Sequence, residues 1–315
     1  MIKFIAQRLL QVIPVILLAS MLVFGLVRVL PGDPAYAILG TDARIEDIEA
    51  LRAKMGLDKP IYIQYGIWLG QILQGDFGES VRNRYPVGEL ILLKARATVE
   101  LAIGGMLVAT LIAFPVGILS ALKRGTIIER ILTVFTSACY AIPTFWLGIL
   151  LVTVVALQWR WVPPSGRVDP SVNFGNFLKL LILPSITLGV PTAAVLARFI
   201  KTSLLEVMGQ DYIRTARGKG LKGRVIVLRH ALRNAMLPVV TVFSLQFGAF
   251  LGGSVVTESI FDWPGLGSLA LQGILSRDYP VVQGTILFVV LIFIMMNLLA
   301  DLSYGLLNPR IRYNE

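Results

Sequence analysis

Residues 9–27 of this chain read LLQVIPVILLASMLVFGLV, a stretch without one charged side chain. A helix needs about 20 predominantly apolar residues to cross the hydrocarbon core of a membrane, and this stretch is long enough. It also exceeds the roughly 7 to 15 apolar residues of a secretory signal core, and further apolar runs follow it. We therefore expect a retained transmembrane helix and a chain whose main solvent is lipid.

Five further runs have the same character, and the sequence predicts an all-α polytopic membrane protein with six transmembrane helices. Composition agrees, because 56% of the residues are hydrophobic and only 15% are charged. The third run is longer than one crossing requires and contains Pro143, so we expect a kinked helix or an interfacial lead-in there. The predicted spans are Leu9–Val27, Leu101–Leu122, Ile131–Gln158, Leu180–Ala197, Ala235–Thr257 and Val281–Ala300.

Membrane topology explains the formal charge of +10. With both termini in the cytoplasm, the segments on that side hold 16 Lys and Arg residues against five Asp and Glu residues. This distribution follows the positive-inside rule. Since the cations flank apolar spans and do not line an aromatic groove, binding to nucleic acid is not expected.

The spans divide the chain into three regions. Residues 1–27 hold the N-terminus and the first helix, residues 28–100 form a sizeable periplasmic region, and residues 101–315 form a five-helix core. Residues 42–55 have acidic side chains early and basic ones late, which predicts a short amphipathic helix that ends at Gly56.

A second helix is predicted over residues 61–73, which carry an aromatic stripe of Tyr62, Tyr65 and Trp68. Aromatic side chains are typical of membrane surfaces. The stripe serves either as an interfacial cap that seals the bundle or as a docking surface for an external partner.

A cytoplasmic loop, residues 198–233, holds nine of the cations. Its first part favours a short helix interrupted by Gly218 and Gly220, and residues 225–234 favour a second helix. The loop is either a solvated basic segment or a knob that fits the groove of a partner.

Several motifs run in order along nearly the whole chain. The basic loop contains DYIRTARGKGL (211–221) and leads into HALRNAMLPVVT (230–241). The others are LPGDPA (30–35), GLDKP (56–60), GDFG (75–78), TESIF (257–261), WPGLG (263–267), RDYP (277–280) and NPRIR (308–312). Together they resemble the permease subunits of bacterial ATP-binding-cassette importers, in the dipeptide, oligopeptide and nickel family. The region that opens with PGDP resembles the first of the two permeases that such systems encode.

This resemblance implies a channel-forming permease subunit, not an enzyme, in the bacterial inner membrane. Its implied partners are membrane lipid, a second related permease, two ATP-binding subunits and a periplasmic or lipid-anchored substrate-binding protein. ATP and Mg would bind to the partner subunits and no cofactor to this chain. The implied residues of coupling to an ATPase subunit are Asp211, Tyr212, Arg214, Thr215, Ala216, Arg217, Lys219, Gly220, Leu221 and His230.

The residues themselves exclude several other activities. The sequence has no Gly-x-x-x-x-Gly-Lys-Ser/Thr loop with which to cradle ATP phosphates. Its one histidine, His230, and one cysteine, Cys139, provide neither a metal cluster nor the nucleophile and base of an intramembrane enzyme. Cys139 falls within an apolar run and is interpreted as packing.

Polar side chains within spans are costly, so they are candidates for lining a pore. The alternative for Gln246 and Asn297 is a hydrogen bond that holds two helices together. The pore candidates are Thr241, Ser244, Gln246, Glu258 and Asn297.

Dipeptides or oligopeptides are the expected substrates. Nickel chelates, glutathione and oligosaccharides are the alternatives within the same family. A secondary transporter driven by an ion gradient is a further alternative, disfavoured because no ionisable residue lies at the centre of a predicted span.

Overall fold

The computed structural model describes residues 2–29, 44–54, 58–252 and 254–307. These residues form helices joined by turns, and the single extended pairing among them is a bridge between Glu79 and Pro86. The all-α prediction is confirmed. The helices are α1 (Ile2–Val29), α2 (Ile45–Lys54), α3 (Ile61–Leu73), α4 (Val87–Leu122), α5 (Ile127–Ala141), α6 (Thr144–Gln158), α7 (Phe174–Met208), α8 (Asp211–Gly218), α9 (Gly223–Leu251), α10 (Val255–Ile260), α11 (Leu266–Leu275) and α12 (Tyr279–Leu307).

Five of these helices, α1, α4, α7, α9 and α12, contain stretches long and apolar enough to cross a membrane. Helices α5 and α6, which meet at an angle of 94°, are together long and apolar enough to form a sixth candidate span. The bend predicted at Pro143 is therefore present. It forms because proline has no N–H to donate and disfavours helical backbone in the preceding residue, and Ile142 is accordingly extended.

Helices α4 and α7 form the closest pair in the bundle. A Cβ atom on Gly189 would lie 2.7 Å from the carbonyl oxygen of Gly105, and one on Gly117 would lie 2.8 Å from that of Ala197. Small residues let two backbones approach in this way, which is the usual basis of helix association in lipid. Because the contacts advance together along both helices, α4 and α7 run parallel.

The remaining spans alternate in direction around this pair. Ala235 near the start of α9 shares a core cluster with Ala121 at the end of α4. At the opposite end, Gly284 of α12 faces Val87 at the start of α4. We call the end where α4 and α7 terminate the basic end, since α8 lies across it.

The helix of the second predicted span begins earlier than the span itself. Helix α4 begins at Val87, so residues 87–100 are helical and continuous with the predicted span Leu101–Leu122. Within this added part, Glu100 pairs with Arg96 of the same helix and with Arg167 of the segment before α7.

The boundaries of the basic loop also differ from the prediction. Helix α7 continues to Met208 and α9 begins at Gly223, so residues 209–222 alone separate them. The predicted second helix, 225–234, is the first part of α9. Helix α7 extends past its apolar stretch because Lys201 pairs with Glu129 at 2.8 Å and Arg198 lies over the Tyr140 ring.

The helix of the fifth span ends earlier than predicted. Helix α9 ends at Leu251, with Gly252 as its C-cap, and Thr257 lies on the separate helix α10. Glu258, predicted at the outer end of the fifth span, therefore lies on a helix of its own beyond that span.

The predicted helix over residues 61–73 is present as α3, and it packs on α1. The hydroxyl groups of Ser20 and Tyr65 lie 2.8 Å apart, and the rings of Tyr65 and Trp68 both contact Phe24. Helix α2 covers residues 45–54 of the predicted 42–55, and its predicted end at Gly56 lies outside the described residues.

Candidate functional site

Helix α8 is a polar helix with one apolar side. Ile213 is fully buried and Ala216 nearly so, while Arg214 and Thr215 are exposed. The spacing of three residues places Ile213 and Ala216 on the same side of the helix. One side of α8 therefore packs on the protein and the other is left free.

The buried side of α8 belongs to a core cluster shared by three spans. Ile213 belongs to a cluster that contains Ala121 of α4, Leu204 of α7 and Ala235 of α9. Ile213 was missing from the predicted coupling residues, although its spacing from Ala216 was visible in the sequence. Ala216 was included there, and its burial turns it towards the spans and away from a partner.

Glycine terminates α8 by a specific turn. Gly220 has φ of +74°, its N–H donates to the carbonyl of Arg217 at 2.9 Å, and the N–H of Leu221 donates to that of Ala216 at 3.4 Å. These two bonds define a Schellman cap, which favours glycine at the left-handed position. The turn sets the direction in which the chain leaves α8 towards α9.

A hydrogen bond links the start of α8 to α9. The side-chain amide of Asn234 donates to the Tyr212 hydroxyl at 2.8 Å and to the His230 carbonyl at 3.2 Å. His230 itself is half-buried within a π-helical stretch, Ile226–Ala231, that opens α9. Asp211 pairs with Arg214 at 3.4 Å in full solvent, a contact of little energetic weight.

The free side of α8 is strongly basic. Apart from the buried Ala216, all the predicted coupling residues within 211–221 are exposed. The structure thus places these side chains together on one surface at the basic end. They are Asp211, Tyr212, Arg214, Thr215, Arg217, Lys219, Gly220 and Leu221.

The polar residues of α9 lie around one uncovered side of that helix. Pro238, Leu245 and Ala249 are exposed and share this side. Thr241 and Gln246 are partly exposed and flank it.

Two other pore candidates have different surroundings. The Ser244 hydroxyl donates to the Val240 carbonyl of its own helix at 3.0 Å. On α12, the side-chain oxygen of Asn297 is buried without a hydrogen-bond partner among the described residues.

Glu258 is fully buried at the opposite end of the bundle. Its carboxylate accepts hydrogen bonds from the Thr98 hydroxyl at 3.0 Å and from the Ser268 N–H at 2.7 Å. Burial, the largest effect, raises the pKa of Glu258, and the hydrogen bonds oppose that rise. Since the side chain has no exposed surface, the geometry favours a role in holding the fold.

The surroundings of Glu258 form a compact junction with α4. The Thr98 hydroxyl also accepts the N–H of Leu266 at 2.8 Å, and the buried Trp263 ring donates to the Ala97 carbonyl at 2.7 Å. A Cβ atom on Gly265 would collide with Glu258 and Thr98. The TESIF and WPGLG motifs therefore both contribute to this junction with α4.

A second ionic junction lies between α4 and the segment before α7. Arg167 makes two bonds to Glu100, at 2.7 and 2.8 Å, and Arg96 pairs with Asp169 at 3.2 Å. Hydrogen bonds from Ser171 are the main reason that the pKa of Asp169 is lowered. Two-point Arg–carboxylate pairing fixes orientation as well as charge, so this segment is held on α4.

An all-helical bundle of apolar spans with a basic helix across one end is the architecture of a multi-pass membrane protein. Residues 113–313 match the family described as binding-protein-dependent transport system inner membrane component, and residues 1–102 match its N-terminal membrane component. The chain belongs to this family of permeases of ATP-binding-cassette importers. The resemblance that the motifs indicated is confirmed, and so is the prediction of an importer channel subunit.

Named relatives align with the chain over its full length or nearly so. The dipeptide transport system permease protein of Escherichia coli K12 is 42% identical over 100% of both chains. The di/tripeptide permease of Pseudomonas aeruginosa UCBPP-PA14 is also 42% identical over 100% of both. The glutathione transport system permease protein of Escherichia coli K12 is 42% identical over 99% of this chain and 100% of its own.

The fold has a counterpart among solved structures. An inward-facing structure of the MetNI methionine ABC transporter matches 70% of this chain and 96% of its own chain, with a TM-score of 0.58 and 18% identity. At that identity the likeness concerns the fold alone.

Proposed function

We propose that this chain forms the channel of an importer for dipeptides and other short peptides. The three relatives named above support the substrate class, since their names specify dipeptides, di/tripeptides and glutathione, itself a tripeptide. Glutathione is the second candidate substrate, because its permease is as similar to this chain as the dipeptide permeases are.

The attachment of α8 carries the proposal for coupling. Ile213 is buried in a cluster that also holds residues of α4, α7 and α9, while the cationic side of the helix is exposed. A short helix held at several points moves as one body with the spans beneath it. Closure of an ATP-binding subunit against the free side would thereby shift three spans together.

The basic end would face the cytoplasm, with both termini on the same side. Arg8 pairs with Asp301 at 3.4 Å near the two ends of the described chain, which supports placing both on one side. The excess of Lys and Arg there supports the cytoplasmic assignment. We expect a second permease, two ATP-binding subunits with their ATP and Mg, and an external binding protein.

The uncovered side of α9 is our candidate for the channel wall. Pro238, Leu245 and Ala249 are not covered by any of the residues that the structure describes, and Thr241 and Gln246 offer hydrogen bonds along the edges of this side. A peptide backbone needs such bonds when it leaves water. Ser244, Asn297 and Glu258 are weaker candidates because the first bonds to its own backbone and the other two carry buried polar atoms.

Uptake of labelled dialanine into proteoliposomes tests the function. The complete importer would be purified from its native operon and supplied with ATP inside and binding protein outside. We expect uptake that requires both and that excess unlabelled dipeptide abolishes. Competition by glutathione instead would select the second substrate, and uptake independent of ATP would contradict the importer mechanism in this chain.

A matched pair of variants tests the coupling surface. Arg214→Glu together with Thr215→Glu changes only exposed positions of α8 and should release the ATP-binding subunits during purification. Lys59→Glu changes an exposed cation beside α3, at the other end of the bundle, and should retain them. Retention of those subunits by the α8 variant would refute the coupling proposal while leaving the substrate assignment intact.

A further inference from the structure

A groove lies beside α8 at the basic end. It has a volume of about 600 Å³ and is open at the surface of the protein. Apolar side chains from three spans form its walls, and two arginines border it. The wall residues used below are Ile118, Leu122, Met208 and Leu228, and the arginines are Arg217 and Arg224.

The position of the groove relates it to the membrane surface. Leu122 is the last residue of α4, Met208 is the last residue of α7, and the groove also includes Gly223, the first residue of α9. The apolar stretch of α4 continues to Leu122, its last residue, so this helix ends where hydrocarbon gives way to headgroups. The apolar walls therefore begin at the depth where lipid acyl chains end.

Apolar side chains that line the groove are partly exposed. Leu122 is 45% exposed and Leu228 is 51% exposed. Apolar surface at this depth is favourably covered by hydrocarbon. The volume falls within the range of about 300 to 1,000 Å³ typical of sites for small molecules.

The charge at the rim specifies the polar part of the occupant. Neither Arg217 nor Arg224 forms an ion pair with a carboxylate in the described ranges. The connecting segment 209–224 carries five Lys and Arg residues and one acidic residue, Asp211. Guanidinium groups bind phosphate oxygens at two points, and basic pockets between spans bind anionic lipid headgroups.

We propose that this groove is a binding site for one anionic phospholipid, with an acyl chain against Ile118, Leu122 and Leu228 and the phosphate between Arg217 and Arg224. Arg217 belongs to α8 and Arg224 to α9. The lipid phosphate would thus bridge the coupling helix and the span that follows it. The inference requires only that the basic end lies at a membrane surface, so it stands apart from the choice of transported substrate.

Native mass spectrometry of the complete importer, with all its subunits, tests the site. Delipidated complex would be titrated with phosphatidylglycerol and, separately, with phosphatidylcholine of the same acyl chains. We expect phosphatidylglycerol to bind with higher affinity. The double variant Arg217→Gln and Arg224→Gln should weaken that binding about tenfold or more, because charge-assisted bonds to phosphate are lost. The control Arg229→Gln and Arg233→Gln removes the same charge from exposed positions outside the groove.

A second variant separates a lipid from a free anion. Leu228→Ser removes part of the apolar wall and should weaken the binding of phosphatidylglycerol. In a separate measurement, inorganic phosphate should compete poorly with phosphatidylglycerol for the groove. Equal affinity for the two lipids, equal loss in the control, or efficient competition by inorganic phosphate would each overturn the proposal. So would lipid binding that appears only after the ATP-binding subunits are removed, because the groove would then belong to their interface.

Discussion

The hydroxyl of Thr98 lies 3.0 Å from a carboxylate oxygen of Glu258, although 160 residues separate them in the chain. This contact joins α4 to α10 inside the protein. It converts a glutamate that the sequence offered as a pore residue into part of the scaffold at the end opposite α8. The first prediction concerns its charge.

Stability should depend on pH through Glu258. Because burial raises its pKa, the folded protein keeps the proton at pH values where the unfolded chain has released it. The contribution of this group to the free energy of unfolding is therefore greatest below the ordinary glutamate pKa of about 4.3 and is lost as the pH rises through the raised pKa.

The Glu258→Gln variant should lose this component, because glutamine does not titrate. Thermal unfolding in detergent, followed by tryptophan fluorescence over a pH series, measures the difference between variant and parent. The control Glu79→Gln alters an exposed carboxylate and should keep the parent's slope. Identical pH profiles for the Glu258→Gln variant and the parent would contradict the assignment.

Replacing Ile213 with alanine should loosen α8 from the spans. Removal of a large buried aliphatic side chain costs about 2 to 5 kcal/mol, and the cost here falls on the docking of one short helix. Trypsin cleavage after Arg214, Arg217 and Lys219 should accelerate accordingly. Tyr212→Phe provides a milder comparison, because it removes one hydrogen bond at an exposed position, worth about 0.5 to 1.5 kcal/mol. Equal cleavage rates in the Ile213→Ala variant and the parent would argue against the anchor.

Gly189→Ala should force α4 and α7 apart. The added methyl group would lie 2.7 Å from the Gly105 carbonyl oxygen and from Val108, and such overpacking costs about 1 to 3 kcal/mol. Buried Cys139 reports unfolding when a thiol-reactive dye gains access to it. The unfolding midpoint should fall for Gly189→Ala and not for Gly66→Ala, whose added atom meets nothing within 4 Å. Equal midpoints would show that the helices yield without cost.

Labelling of single cysteines should establish the orientation. In a Cys139→Ala background, a membrane-impermeant maleimide applied to intact spheroplasts should modify Lys59→Cys. It should modify Lys219→Cys only after the membrane is permeabilised. The two positions lie at opposite ends of the bundle and both are exposed. The reverse pattern would place the basic end outside the cell.

Local sequence determined the spans and the basic helix. Three features show this: the apolar run 9–27, the proline at 143 and the mixed polarity of residues 211–218. The energetic effect of each depends on only a few neighbouring residues. Transfer of side chains to lipid, the missing proline N–H and helical periodicity are properties of this kind. Helix ends were predicted less well, since charged residues such as Glu100 limit an apolar run in the sequence but can continue a helix, here with Arg167 as a distant partner.

Tertiary structure alone decided which polar residues face outward and which hold the fold. Glu258 and Thr98 come together from distant parts of the chain, Ile213 joins a cluster shared by three spans, and Arg217 and Arg224 both border a groove that no single helix contains. The physical reason is that burial and hydrogen bonding are properties of the packed arrangement, whereas the sequence records only what each residue is able to offer.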